Sequence, residues 1–133
     1  MTDLTKRKFD KQQKYICKKL YIKDEVYHAY TCLIVKYMGD FDPDKTYCGR
    51  GESGDKYTPD LWYRWSGYVH DGLVSAYEHG HEELDKGRID DYFRYSMYFI
   101  NGWKFWRSPI AELFYIAVDN LGDYEFNKYG DEK

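Results

Sequence analysis

Cysteine and proline are scarce in this chain of 133 residues, three of each, and long apolar runs are missing. Cys17, Cys32 and Cys48 are odd in number and no two form a Cys-x-x-Cys motif, which argues against a disulfide framework or a zinc ribbon. Reduced thiols in a cytoplasmic protein are the matching expectation. No segment approaches the roughly 18 consecutive apolar residues of a membrane span. The polar, basic N-terminus shows no apolar h-region of a secretory signal, so no membrane partner is expected. A complete catalytic motif is missing too. Ser53, Ser66, Ser75, Ser96 and Ser108 are present, but none sits in Gly-x-Ser-x-Gly, and no carboxylate spacing singles out an acid/base pair. The expectation is a non-enzyme without a cofactor.

Aromatic residues are abundant instead. The chain holds 16 Tyr, 7 Phe and 4 Trp, one residue in five. The tryptophans fall as two spaced pairs, Trp62-Tyr-Arg-Trp65 and Trp103-Lys-Phe-Trp106. Aromatic side chains bring large contact areas and are enriched where proteins bind one another, but they also fill cores. Length and composition fit one globular domain.

The net charge of −3 is unevenly spread. The N-terminal stretch through Lys23 is strongly basic and the rest of the chain is acidic, the kind of asymmetry that marks an interaction surface.

Periodicity predicts a mainly α single domain of about five helices. The first spans Asp3 to Tyr21, with Phe9, Ile16 and Leu20 as a narrow apolar stripe and Arg7, Lys11, Lys14 and Lys18 as a basic ladder. The second begins with Asp24 as N-cap and runs to Met38, burying Val26, Tyr30, Leu33 and Tyr37, with Gly39 after its end. Residues 39–58 read as a long Gly/Asp-rich loop. Thr58-Pro59 reads as the start of a third helix reaching Lys86, with Trp65, Tyr68, Gly72 and Ala76 on its apolar face. Gly72 on that face allows close helix approach. A fourth helix over 89–100 ends at Asn101-Gly102, and Ser108-Pro109 opens a fifth that reaches Leu121. The fifth is apolar nearly all round, which predicts a central position. Residues 123–133 form a loose tail. The runner-up is an α+β fold, with an N-terminal hairpin of 15–22 with 26–37 and an Asn-Gly hairpin near 95–107.

Three groupings could carry chemistry. Gly49-Arg-Gly-Glu-Ser-Gly54 matches Gly-x-Gly-x-x-Gly, but Glu52 and Asp55 would repel a phosphate and no strand leads into it. His79, His81 and Glu83 are metal-ligating types, yet on a helix His79 and His81 point to different sides, and His79 with Glu83 makes a pair of two ligands where zinc needs three or four. The basic ladder could contact phosphates, but a sequence pI of about 5.8 argues against nucleic acid as the main partner.

The leading functional expectation is a small protein-binding module. Its contact residues would be Tyr63, Tyr95, Tyr98, Trp103 and Trp106 as outer aromatics, beside an acidic group of Glu78, Glu82, Glu83, Asp85, Asp90 and Asp91. Small size, uneven charge and surplus tyrosine are shared with phage-encoded inhibitors of host systems, anti-CRISPR proteins among them, which obstruct a partner's substrate site. A host protein is then the partner, and a homo-oligomer is compatible with the same surface. The competing expectation is a small-ligand binder that stacks a nucleotide-like ring near Arg50, Lys56, Arg64 or Arg107. A metal-dependent enzyme using the His79/His81 region comes third.

Overall fold

Thr2 opens the first helix of the computed structural model, which describes residues 1–45, 47, 62–81 and 83–118. The Thr2 hydroxyl accepts the Thr5 N–H, and α1 runs over Asp3–Leu20 until Tyr21 turns left-handed at φ 53°. Its buried residues are Thr5, Phe9, Gln12 and Ile16, spaced four, three and four apart. Two of the four are polar. The ladder of Arg7, Lys11, Lys14 and Lys18 lies exposed on the other side, as its spacing predicts.

The second helix, α2, covers Asp24–Met38. Lys23, not Asp24, occupies the cap position; Asp24 is the first helical residue and acts on the helix dipole instead. The buried face is Tyr27, Tyr30, Thr31 and Ile34, rotated from the expected one, while Val26, Leu33 and Tyr37 are half-buried. Gly39 ends the helix at φ 71° and donates to the Val35 carbonyl at 2.8 Å. Beyond it, Phe41 and Tyr47 fold back into the core, and the Phe41 N–H donates to Thr5 Oγ1 at 3.1 Å. The Gly-x-Gly-x-x-Gly segment, Arg50, Lys56 and the Thr58-Pro59 helix start lie outside the described residues.

The third helix, α3, runs over Arg64–Glu78 with Tyr63 as its cap residue. It does not continue to Lys86. His79 caps it, Gly80 takes φ 95°, and Asp85 starts a new helix by accepting the Arg88 N–H at 2.7 Å. That helix, α4, spans Lys86–Asn101. Gly102 at φ 55° closes α4 where the Asn-Gly pair sits, so that pair ends a helix rather than turning a hairpin. A 3-10 turn, Phe105–Arg107, then leads directly into α5 over 108–118. Ser108 already has helical angles, φ −57° and ψ −41°, so it continues the spiral and does not cap it. Among the described residues there is no strand, and both hairpins of the α+β alternative are overturned.

The helices pack α2 on α3 and α3 on α4, with α1 closing against α4 and α2. Between them sits an aromatic core. Trp65 meets Phe9 at 4.6 Å and Phe41 at 5.3 Å, both edge-on, and Tyr27 stacks on Tyr92 at 6.2 Å. The core is not purely apolar. Gln12 Oε1 accepts from Trp65 Nε1 at 2.6 Å and from Ser96 Oγ at 3.1 Å, while Gln12 Nε2 donates to Tyr92 Oη at 3.2 Å. Ser66 lies 3.1 Å from Ser96, and Tyr27 donates to the Phe9 carbonyl at 2.7 Å. Burial raises the Tyr92 hydroxyl well above its ordinary pKa, so it stays neutral. One glutamine thereby ties α1, α3 and α4 together.

A smaller second cluster joins α4 to α5 through Tyr63, Phe93, Met97 and Ala111. Among α5 residues 108–118 only Ala111 is fully buried. The helix therefore lies at the edge of the bundle, which corrects the central position expected from its composition.

Candidate interaction surface

The α4–α5 connector is held from beneath by Tyr63. This side chain is fully buried, not on an outer face. Its hydroxyl donates to Asn101 Oδ1 at 2.7 Å and lies 3.3 Å from the Arg107 carbonyl oxygen. Asn101 and Arg107 bracket the connector, so one phenol fixes both of its ends. Backbone bonds tighten it between them, from Lys104 N–H to Asn101 O at 2.9 Å and from Arg107 N–H to Lys104 O at 3.0 Å. With the backbone so placed, the connector's large side chains turn outward. Trp103 is 76% exposed, Phe105 78% and Trp106 54%, and on α5 Leu113 is 65% and Ile116 50% exposed. Trp103 and Phe105 each pack edge-on against Trp106, at 5.3 and 5.8 Å. Trp106, Pro109, Leu113 and Ile116 follow one another at helical spacing and all four are exposed, so the aromatics continue as an apolar stripe along α5.

The charges within this platform are positive. Lys104 lies 5.9 Å over the Trp103 ring and Arg107 lies 4.0 Å over the Trp62 ring. The nearest carboxylate on α5, Glu112, accepts from Arg94 at 2.9 Å and from the Tyr98 hydroxyl. Burial works against its charge, but those hydrogen bonds hold its pKa below the usual glutamate range. Tyr98, Tyr95 and Tyr115 are half-buried around Arg94, which sits 4.9 Å from the Tyr115 ring. Tyr98 and Tyr115 brace α5 against α4, while Tyr95 packs against the main core cluster.

The acidic group is dispersed and lies elsewhere. Glu78 ends α3, and Glu83 and Asp85 precede α4, whereas Trp103 follows α4; the length of that helix, about 24 Å at 1.5 Å per residue, separates them. Glu78, Glu83 and Asp85 are exposed, Asp91 is half-buried, and Glu82 lies outside the described residues. Asp90 does not belong to the patch at all. It is buried between Lys86 and His70, whose Nε2 is 3.3 Å from Asp90 Oδ1. An aromatic surface rimmed by carboxylates is therefore corrected to an aromatic surface carrying cations.

The histidines have structural partners. His81 Nε2 meets the Tyr37 hydroxyl at 2.9 Å and its Nδ1 lies 3.3 Å from Glu83, while His79 stacks on Tyr37 at 4.6 Å and bonds the Ser75 carbonyl. Together they pin the C-terminal end of α2 to the α3–α4 turn. Among the described residues no three His, Cys, Asp or Glu side chains converge on a metal-sized point. Cys17 and Cys32 are free thiols, one half-buried and one exposed, and Cys48 is outside the described residues. No described helix is long and apolar enough to cross a membrane.

The His70–Asp90–Lys86 group makes stability pH-dependent. Burial disfavours the charge on His70 and on Asp90, but Asp71 and Asp90 together raise the His70 pKa, and His70 and Lys86 lower that of Asp90. The raised His70 pKa contributes stability that is present below the unfolded histidine value and lost as pH rises through the folded one. The depressed Asp90 pKa contributes stability present above the unfolded carboxylate value and lost as pH falls through the folded one. Urea midpoints are expected to drop between pH 6 and pH 9 in the wild type and to drop less in His70→Gln. Equal slopes in the two proteins would contradict this linkage.

No protein-family model, curated protein or solved structure matches this chain.

Proposed function

We propose that this protein is a non-catalytic binding module that engages a protein partner through Trp103, Phe105, Trp106, Leu113 and Ile116. The observation that carries the reading is the connector itself. Tyr63 and Asn101, both buried, hold a backbone whose three largest side chains stand mostly exposed. Pre-positioned, exposed tryptophans beside cations are the composition of interface anchors. Lys104 and Arg107 fit a partner groove that is apolar at its floor and acidic at its rim. A phage-type inhibitor that covers a host protein's substrate site is one form such a module takes. Docking would then use the cationic aromatic platform in place of the carboxylates near α3.

The double variant Trp103→Ala/Trp106→Ala tests this. Partner capture from lysate of cells expressing the gene is expected to fall at least about 30-fold, the loss of roughly 2 kcal/mol typical of an interface anchor. Its unfolding free energy is expected to stay within about 0.5 kcal/mol of wild type, because exposed side chains contribute little to the fold. Undiminished capture of the same protein by the variant would sink the reading. A second copy covering the platform would show instead as a concentration-dependent mass in sedimentation, abolished by the same variant.

A further inference from the structure

A cleft of about 330 Å³ opens between the start of α1 and the start of α3. Its walls are Leu4, Phe41, Trp62 and Trp65, and two cations, Lys8 and Arg64, stand among them. The size falls in the range of small-ligand pockets, and the lining is mostly apolar with few polar groups. Arg64 is anchored by donating to the Pro43 carbonyl. Lys8 is half-buried and its ammonium lies 5.4 Å from the Phe41 ring and 5.7 Å from the Trp65 ring. Among the described residues no carboxylate pairs with it. Burial, and then the neighbouring Lys11, lower its pKa, the mark of a cation short of compensating charge. An aromatic-walled cleft holding a half-buried lysine with no carboxylate partner among the described residues is complementary to a flat ring bearing an oxyanion.

We infer that this cleft binds a small aromatic carboxylate or sulfonate, with its ring against Phe41 and Trp62 and its anionic group on Lys8. Lys8 fixes the sign of the ligand and the rings fix its flatness. The cleft shares Trp62 with the platform, where Arg107 lies over its ring, but the anion position at Lys8 does not depend on the protein-binding reading.

Fluorescence titration with anilinonaphthalene sulfonate, and with uncharged phenylnaphthylamine as its matched control, tests the inference. The sulfonate is expected to bind once per chain and about 10-fold more tightly than the neutral ring, the factor that one charge-assisted contact of roughly 1.4 kcal/mol supplies. Lys8→Met should remove that advantage while leaving the neutral ring unaffected, and Lys8→Arg should retain it. Trp103→Ala/Trp106→Ala should leave both titrations unchanged. Equal affinity for the two rings would overturn the proposal. So would loss of sulfonate binding in the tryptophan variant with no loss in Lys8→Met.

Discussion

Replacing Gln12 with leucine is expected to lower the unfolding free energy by about 3–4 kcal/mol, although leucine is the more apolar residue and nearly the same size. The glutamine side chain is completely buried. Its Oε1 uses both lone pairs, on Trp65 Nε1 and Ser96 Oγ, and its Nε2 serves the Tyr92 hydroxyl. The amide orientation is set by the indole, which can only donate. Leucine leaves the Trp65 N–H without its acceptor and the Tyr92 hydroxyl without its donor, and each stranded buried group costs about 1–3 kcal/mol. The Ser96 hydroxyl loses an acceptor but keeps Ser66 Oγ at 3.1 Å, so it adds little. Gained apolar contact offsets only part of this, since the cavity is shaped for an amide. A loss of that size is a large fraction of the roughly 5–15 kcal/mol that domains possess. The neighbouring Gln13, half-buried and 3.4 Å from His28, is the control: Gln13→Leu is expected to stay within about 0.5 kcal/mol. Guanidinium denaturation of the two variants measures the contrast. A Gln12→Leu protein within about 1 kcal/mol of wild type would show that the network supplies no net stability.

Gln12 also shows where sequence reading stops. Thr5, Phe9, Gln12 and Ile16 have a helical period, but two of the four are residue types that normally face water, so only half of the stripe is visible. In α2 the difficulty is phase: Tyr, Val, Ile and Leu occupy so many positions that several faces look equally apolar, and packing against α3 selects the one with Ile34. By sequence, Tyr63 falls on the exposed side of a helix begun at Thr58. Its place as the residue before α3 turns it inward, under the connector. The α5 stripe posed a different ambiguity. A helix apolar on most sides is either central or docked to something outside the chain, and composition is the same in both. Trp103 and Trp106 were identifiable as candidates from their spacing. Phe105, Leu113 and Ile116 were not, because exposure depends on which side of α5 meets α4. What local chemistry did reveal was punctuation: Gly39 and Gly102 end helices at positive φ, as their positions after apolar periods predict. Asp85 was grouped with a charged patch although its more definite role is the N-cap of α4.

Gly72 is the position where a sequence-level expectation meets the tightest geometry in the molecule. On propensity alone, Gly72→Ala inside α3 should stabilise by about 1 kcal/mol. A methyl group there would stand 2.8 Å from the Ile34 Cα and 2.8 Å from its Cγ2. Carbon atoms at rest sit about 3.5–4.0 Å apart, so α2 and α3 would have to separate by a large part of an ångström. These two helices share the most extensive packing in the bundle, with Ile34, Tyr68, Val69 and Leu73 all buried. Separating them loosens close-packed contacts well beyond the new methyl group. Overpacking of this kind costs about 1–3 kcal/mol and here acts against backbone, so it outweighs the propensity gain. Gly72→Ala is therefore expected to destabilise by about 1–2 kcal/mol net, and Gly72→Val by about 3 kcal/mol or more. The backbone contact gives the argument its sharpest check. Trimming the opposing side chain in Gly72→Ala/Ile34→Ala removes the Cγ2 clash but not the Cα clash, so the second change should add to the loss without rescuing the first. Rescue would mean that side-chain crowding alone sets the glycine requirement. A stabilised Gly72→Ala protein would mean that α2 and α3 do not approach this closely.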